Sequence, residues 1–262
     1  MKFRFWIVCI SCCLLLGNDH TYAEMSEADV IKYEARRVKA ASNGVVSLVA
    51  LGDSVTKGVG DSSGMGGYPG FLKELLTKES YVHKVTVNNF GKRGLRSSQL
   101  LELVKQNEII HSLKNADIVV ASIGGNDIMK VVRDNYFELT IPMFDKQQQN
   151  YEKNIGEILA AIRSENPFCI IVIIGLYNPF SVWFDNLEEI NIIMRKWDEV
   201  SKQIALGHKQ TLFVEIGDLF EKNTKALLNN DYFHPNTVGY QLIAERVYDS
   251  LKQRYQQFQR NF

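Results

Sequence analysis

The chain has 262 residues, 45% hydrophobic and 23% charged, with 30 basic and 30 acidic residues and no formal net charge. This is ordinary globular composition with enough length for one large core. No basic stripe stands out, which removes electrostatic support for a nucleic-acid partner.

In chain order, Lys2 and Arg4 precede the apolar run FWIVCISCCLLLG (5–17), and Thr21-Tyr22-Ala23 follows a short polar stretch. Charged, apolar, then small is the order of a secretory signal peptide, here residues 1–23, with Ala23 as the cleavage position. The run is short for a membrane span, and an uncleaved N-terminal anchor is the alternative. Either way the expected location is secreted or associated with the cell envelope, near membrane or cell wall. A lipid-modified Cys12 or Cys13 ranks lower, because Cys9 stands where leucine is usual three residues before Cys12. Beyond residue 23 only Cys169 remains, inside PFCIIVIIG. It reads as inert core, with no internal disulfide to form. Residues 24–43 are highly charged and read as a spacer or surface helix, leaving 44–262 as one domain.

Within that domain, apolar, β-branched runs occur at VVSLVAL (45–51), VTVNNF (85–90), DIVVASI (117–123), CIIVIIGL (169–176) and TLFVEI (211–216). Helical patterns at 69–78, 97–115, 150–165, 186–206 and from Thr237 onward alternate with them. Near-continuous apolar strands between helices predict a five-stranded parallel sheet covered on both faces, an α/β fold. Such sheets carry their sites outside the carboxyl ends of the strands.

The strand ends are chemically distinctive. The first stops on Gly52-Asp53-Ser54, the second runs into NNFGKRGLRSS, and the third ends on Gly124-Gly125-Asn126-Asp127. After the fifth comes Asp231-Tyr232-Phe233-His234-Pro235-Asn236. A serine hydroxyl needs a base to take its proton as it attacks. Histidine, with an ordinary pKa of about 6.5, is the usual one. A carboxylate sets the imidazole's tautomer. At a spacing of three, Asp231 and His234 can share one helical turn. The oxyanion formed on attack needs preset N–H donors, and glycine allows close backbone approach.

GDSV at 52–55, the glycine at 94, GGND at 124–127 and DYFH at 231–234 together resemble the four sequence blocks of the SGNH hydrolases, also called GDSL-type lipases and esterases. The resemblance spans roughly residues 46 to 245. It implies a flavodoxin-like three-layer α/β/α sandwich and a serine hydrolase without metal or other cofactor. By position it implies Ser54 as nucleophile, His234 as general base and then acid, and Asp231 as the group that orients His234. The N–H groups of Ser54 and Gly94 and the Asn126 side chain would form the oxyanion hole. Gly94 is preferred to Gly91 because the family's glycine sits about five residues after an asparagine, here Asn89. Val55 replaces the leucine of the family name, an apolar-for-apolar change.

Other readings compete residue by residue. Ser54 could cap a helix, Asn126 and Asp127 could be turn residues, and His234-Pro235-Asn236 could open a helix with proline in its first turn. Asp53 and Asp127 read as structural. His20, His83, His111 and His208 show no metal-ligand spacing. The Gly58-Val59-Gly60 segment misses the dinucleotide fingerprint by one residue, and the G-x-S-x-G elbow is absent around Ser54. Tyr177, Phe180, Trp183 and Phe184, after the fourth strand, are candidates for an apolar substrate pocket. Residues 128–149 form a long excursion, either a lid or a surface helix pair. The expected activity is hydrolysis of esters of lipids, small alcohols or acylated sugars. Acyl transfer to envelope sugars, or non-catalytic envelope binding on the same fold, are the rivals.

Overall fold

The computed structural model describes residues 44–135, 137–182, 188–221 and 224–260. Five strands, β1 (Val45–Gly52), β2 (Lys84–Gly91), β3 (Ile118–Ser122), β4 (Ile170–Ile174) and β5 (Thr211–Val214), form one parallel sheet in the order β2-β1-β3-β4-β5. In register, Gly52 of β1 lies opposite both Gly91 and Ser122, so the carboxyl ends of the three strands are level.

Successive side chains of a strand point to opposite faces, and both faces here are apolar. Val49, Leu51, Val119, Ala121, Ile171 and Ile173 pack on one side. There they meet α3 (Ser97–Leu103), α4 (Asn107–Lys114), α6 (Ile141–Glu165) and α7 (Glu188–Leu206), through residues such as Leu100, Leu113, Ile155 and Trp197. Leu48, Ala50, Val120, Val172 and Ile174 pack on the other, against Tyr68 and Leu72 of α2 (Tyr68–Thr77) and Ile243 and Val247 of α10 (Thr237–Arg260). Each large aliphatic side chain buried this way contributes roughly 1.5–3 kcal/mol. The result is the expected three-layer α/β/α sandwich.

The short helices are α1 (Ser54–Lys57), α5 (Gly125–Asp134), α8 (Gly217–Glu221) and α9 (Thr224–Leu227). Two differences from the sequence pattern stand out. The helix expected over 97–115 is broken in two, because Gln106 adopts an extended backbone and opens α4. The helix expected from residue 150 begins at Ile141, with Pro142 in its first turn, where proline loses no hydrogen bond. The 128–149 excursion is therefore a helix pair, most of α5 and the start of α6.

The chain places β2 and β3 on opposite sides of β1. That reversal opens a crevice at the carboxyl end of β1, the general ligand position in such sheets. Gly52 is required there: its φ is +139°, and a Cβ would fall 2.1 Å from the Ser122 carbonyl oxygen.

Candidate active site

The crevice is built around α1, a single helical turn. Asp53 is its N-cap, and Oδ1 accepts the Val55 N–H at 2.9 Å. Ser54 is therefore the first helical residue and not the cap, correcting the capping alternative. Its hydroxyl is free for another partner, and its N–H has no acceptor within the helix. Thr56 Oγ1 donates to the Leu51 carbonyl at 2.9 Å, and Asn89 Nδ2 donates to the Thr56 carbonyl at 2.8 Å, so α1 is pinned from both sides.

His234 approaches from the far end of the chain. Its Nε2 lies 2.8 Å from Ser54 Oγ, and its Nδ1 lies 2.6 Å from Asp231 Oδ2. A carboxylate only accepts, so Nδ1 carries the hydrogen and Nε2 of the neutral ring accepts from Ser54. Asp231 Oδ1 accepts two backbone N–H groups, from Phe233 at 3.0 Å and His234 at 2.9 Å. Partial burial pushes the Asp231 carboxyl up, but the hydrogen bonds from the His234 ring and from the His234 and Phe233 backbone outweigh it and hold the group below the usual range.

Residues 231–234 are not helical, contrary to the shared-turn expectation. They form a tight turn with Tyr232 at φ +50°, closed by the Asp231 carboxylate itself. Nor does proline enter the following helix: α10 starts at Thr237, Asn236 Oδ1 accepts the Gly239 N–H at 3.0 Å, and Pro235 pairs with Leu228 in an isolated bridge. The turn is held at both ends. Asn229 N–H donates to the His234 carbonyl at 2.8 Å, and the Tyr177 hydroxyl donates to the Phe233 carbonyl at 2.7 Å.

Asn126 lies at the start of α5, on the same rim. Its Nδ2 donates to the Leu95 carbonyl at 3.1 Å and to Asp53 Oδ2 at 3.3 Å, so both amide hydrogens have acceptors. Asp53 thus ties α1, which Ser54 begins, to the Asn126 carboxamide. Its burial, aided by the nearby Asp127 charge, pushes the carboxyl up to about 7 despite hydrogen bonds from Val55 and Asn126. Asp127 is used elsewhere. It accepts the Ser97 N–H at 2.8 Å and hydroxyl at 2.7 Å, anchoring the start of α3.

Gly94 and Gly91 differ in kind. Gly94 has φ +73° and open space where a Cβ would go. A Cβ on Gly91 would instead fall 2.3 Å from the Lys57 nitrogen, so Gly91 serves packing against α1. Gly94 is not part of the cleft lining; it lies on the adjoining loop beside Leu95.

The cleft encloses about 530 Å³, part of it open to solvent. Its polar end holds Asp53, Ser54, Ser122 and Asn126; its other wall is apolar. Tyr177 and Phe180 line it, as the sequence suggested, while Trp183 and Phe184 lie outside the described residues. Tyr177 also stacks on Phe220 with ring centroids 4.2 Å apart. Sequence reasoning missed Ile128, Met129, Leu176, Met194 and Phe233 in the wall. Phe233 could have been noticed, because it sits one residue before His234; its ring meets that imidazole edge-on at 5.1 Å.

Residues 50–242 match the sequence model of the GDSL-like lipase/acylhydrolase family. A Bacillus subtilis (strain 168) protein, YpmR, described as uncharacterized, is 35% identical over 254 residues, 96% of this chain and 97% of its own. The spore germination lipase LipC of Bacillus licheniformis is 26% identical over 77% of this chain and 94% of its own. Among solved structures, the lipase Lip_vut3 from a goat rumen metagenome superposes with a TM-score of 0.70 at 24% identity, covering 77% of this chain and 95% of that one. The last likeness speaks to the fold.

Proposed function

The chain belongs to the GDSL-like lipase/acylhydrolase family and is a carboxylic ester hydrolase of the GDSL type, and from that premise we propose that it works through a Ser54–His234–Asp231 triad and an acyl-enzyme. The observation that carries this reading is the unbroken chain of hydrogen bonds from Ser54 Oγ to His234 Nε2 (2.8 Å) and from His234 Nδ1 to Asp231 (2.6 Å).

The steps follow from those atoms. Ser54 Oγ bonds to the ester carbonyl carbon while His234 Nε2 takes its proton, and the carbonyl electron pair moves to oxygen. The Ser54 N–H, the Gly94 N–H and the Asn126 amide receive that oxyanion. Asn126 supplies its hydrogen by exchanging the longer of its two bonds, that to Asp53. The intermediate collapses, the alcohol leaves with the proton from Nε2, and an acyl group remains on Ser54. Water then attacks with Nε2 as base, releasing the carboxylic acid and restoring the hydroxyl. Asp231 stays ionised throughout, stabilising the imidazolium.

The substrates in this reading are carboxylic esters of lipids, small alcohols or acylated sugars. The apolar wall beside Ser54 supports an acyl chain there. The names of LipC and Lip_vut3 as lipases agree with that assignment. Residues 1–23 act as a signal peptide, and the enzyme works outside the cytoplasm, near membrane or cell wall; the charged, apolar and small-residue order supports this. The test is a series of p-nitrophenyl esters of rising acyl length with purified protein and with Ser54→Ala. The reading expects turnover that depends on chain length and is lost in the variant. Turnover retained in Ser54→Ala contradicts it.

A further inference from the structure

The polar end of the cleft holds Asp53, Ser54, Ser122 and Asn126. Ser54 is paired with His234, Asp53 with the Val55 N–H and Asn126, and Asn126 also with the Leu95 carbonyl. Ser122 is different. It is 5% exposed, and its hydroxyl has no hydrogen-bond partner among the described residues. A hydroxyl taken from water without a partner is costly, and buried polar side chains nearly always have one. Among the described residues, the fully enclosed side-chain polar atom without a partner is Arg163 Nε. The Ser122 hydroxyl therefore still reaches open space, and the open space beside Ser122 is the cleft.

Its position is fixed against the nucleophile. Ser122 ends β3 opposite Gly52 of β1, and its carbonyl accepts the Asp53 N–H at 3.2 Å, one residue before Ser54. Gly52 has no side chain with which to cover the hydroxyl. On the other side Ser122 is level with Ile174 of β4, and Gly175 and Leu176 line the cleft just beyond. The sheet order places β3 between β1 and β4. An acyl chain that starts on Ser54 and runs toward Leu176 and Phe180 thus crosses the end of β3, where Ser122 stands. The lateral step is one strand spacing, about 4.8 Å, which matches a substituent on C3 of the acyl group.

We propose that Ser122 determines acyl specificity, its hydroxyl pairing with a hydroxyl on C3, so that 3-hydroxyacyl esters are favoured over plain ones. This rests on the esterase reading and adds the chemistry of the acyl group. A plain alkyl chain entering the cleft strips water from Ser122 and offers nothing in return, whereas a chain with its own hydroxyl satisfies both groups. Ser122 stands at one place on the wall, so one enantiomer alone presents its hydroxyl to it.

The experiment compares the methyl esters of hexanoic acid, (R)-3-hydroxyhexanoic acid and (S)-3-hydroxyhexanoic acid, followed by acid release. All three share the leaving alcohol and the chain length. The expected kcat/KM favours one enantiomer over the other, and over hexanoate, by about 10-fold. In Ser122→Ala the ratio between enantiomers drops toward one, whatever happens to the rate on each ester; a role in structure alone would lower both enantiomers equally. A thermal melt checks that the variant is folded. A wild-type enantiomer ratio near one overturns the proposal whether or not the variant folds, as does a ratio that Ser122→Ala leaves unchanged. If hexanoate is cleaved and the enantiomers are not distinguished, the Ser122 assignment alone is wrong. If no ester is cleaved and Ser54 takes up no fluorophosphonate, the esterase reading fails and the Ser122 assignment with it.

Discussion

Asp53→Asn changes charge and hydrogen-bonding sense while keeping shape. The carboxamide oxygen at residue 53 can still accept the Val55 N–H, so the cap on α1 survives. Its nitrogen, however, stands where Oδ2 took the Asn126 amide hydrogen at 3.3 Å. Two donors then face each other, and the Asn126 side chain must turn away. Losing an oxyanion donor costs roughly 3–4 kcal/mol, about 10²–10³ in kcat. The bond from Asn126 to the Leu95 carbonyl at 3.1 Å retains part of the amide's position, which points to the lower end, about 10²-fold. The assay is steady-state hydrolysis of one soluble ester by the wild type, Asp53→Asn, Asn126→Ala and the double variant. If Asp53 acts through Asn126, its substitution adds less than about 2-fold on top of Asn126→Ala. Stability gives a second reading. Burial lifts the Asp53 carboxyl to about 7, above its unfolded value, so the folded protein binds that proton more tightly. The stability it contributes is present below about pH 4 and is lost as pH rises toward 7, at about 1.4 kcal/mol per unit. The variant lacks that loss and should gain on the wild type between about pH 4 and pH 8 in urea titrations. Fully additive kinetic effects, or a stability difference flat across that range, would show that Asp53 does not act in this way.

Asp231→Asn puts an N–H opposite His234 Nδ1, favouring the tautomer with hydrogen on Nε2, which cannot take the Ser54 proton; kcat should fall by about 10²–10⁴. Since hydrogen bonds hold the Asp231 carboxyl below its usual range, its stabilisation is present above about pH 4 and lost as pH falls through the lower folded value, so the variant's deficit in urea should shrink in acid. Tyr177→Phe removes the hydroxyl that holds the Phe233 carbonyl at 2.7 Å while keeping the ring on Phe220. One such bond is worth about 1 kcal/mol, so kcat should drop about 5-fold with KM for long esters nearly unchanged in steady-state assays. Arg163→Met tests the opposite edge of the sheet. Its guanidinium donates to the carbonyls of Cys169 at 2.6 Å, Lys209 at 2.7 Å and Gln210 at 3.0 Å. Thermal or urea unfolding should show a loss of about 2–3 kcal/mol, with kcat on a soluble ester unchanged.

The sheet was legible because its strands are buried on both faces. Residues such as Leu48 and Val49 point to opposite layers, and both must be apolar, which leaves a continuous run with little ambiguity. Helix ends were less legible. Nothing in the 97–115 pattern marks the extended backbone at Gln106. The start of α6 was hidden by polar residues 145–150, which lack an apolar stripe even though they are helical. At the site, the sequence located Ser54, Asn126, Asp231 and His234 at loops that the fold brings to one rim. It did not reveal how they are held. The Asp231 turn looks like a helical spacing in the sequence and is instead closed by the carboxylate's own backbone bonds. The Asp53–Asn126 contact joins residues 73 apart, and the Tyr177–Phe233 contact joins residues 56 apart. Such pairs carry no local signal. Met129 and Met194 face the cleft from helices whose other apolar residues serve the core, so periodicity alone could not separate them.

All of the chemistry turns on Ser54 being a nucleophile activated by His234. This is measured by reaction of the folded protein with a fluorophosphonate, followed by digestion and mass analysis of the modified peptide. One adduct is expected, on Ser54, formed rapidly in the wild type, slowly in His234→Ala and not at all in Ser54→Ala. No adduct on the folded wild type, or an equal adduct on another serine in Ser54→Ala, would contradict that role.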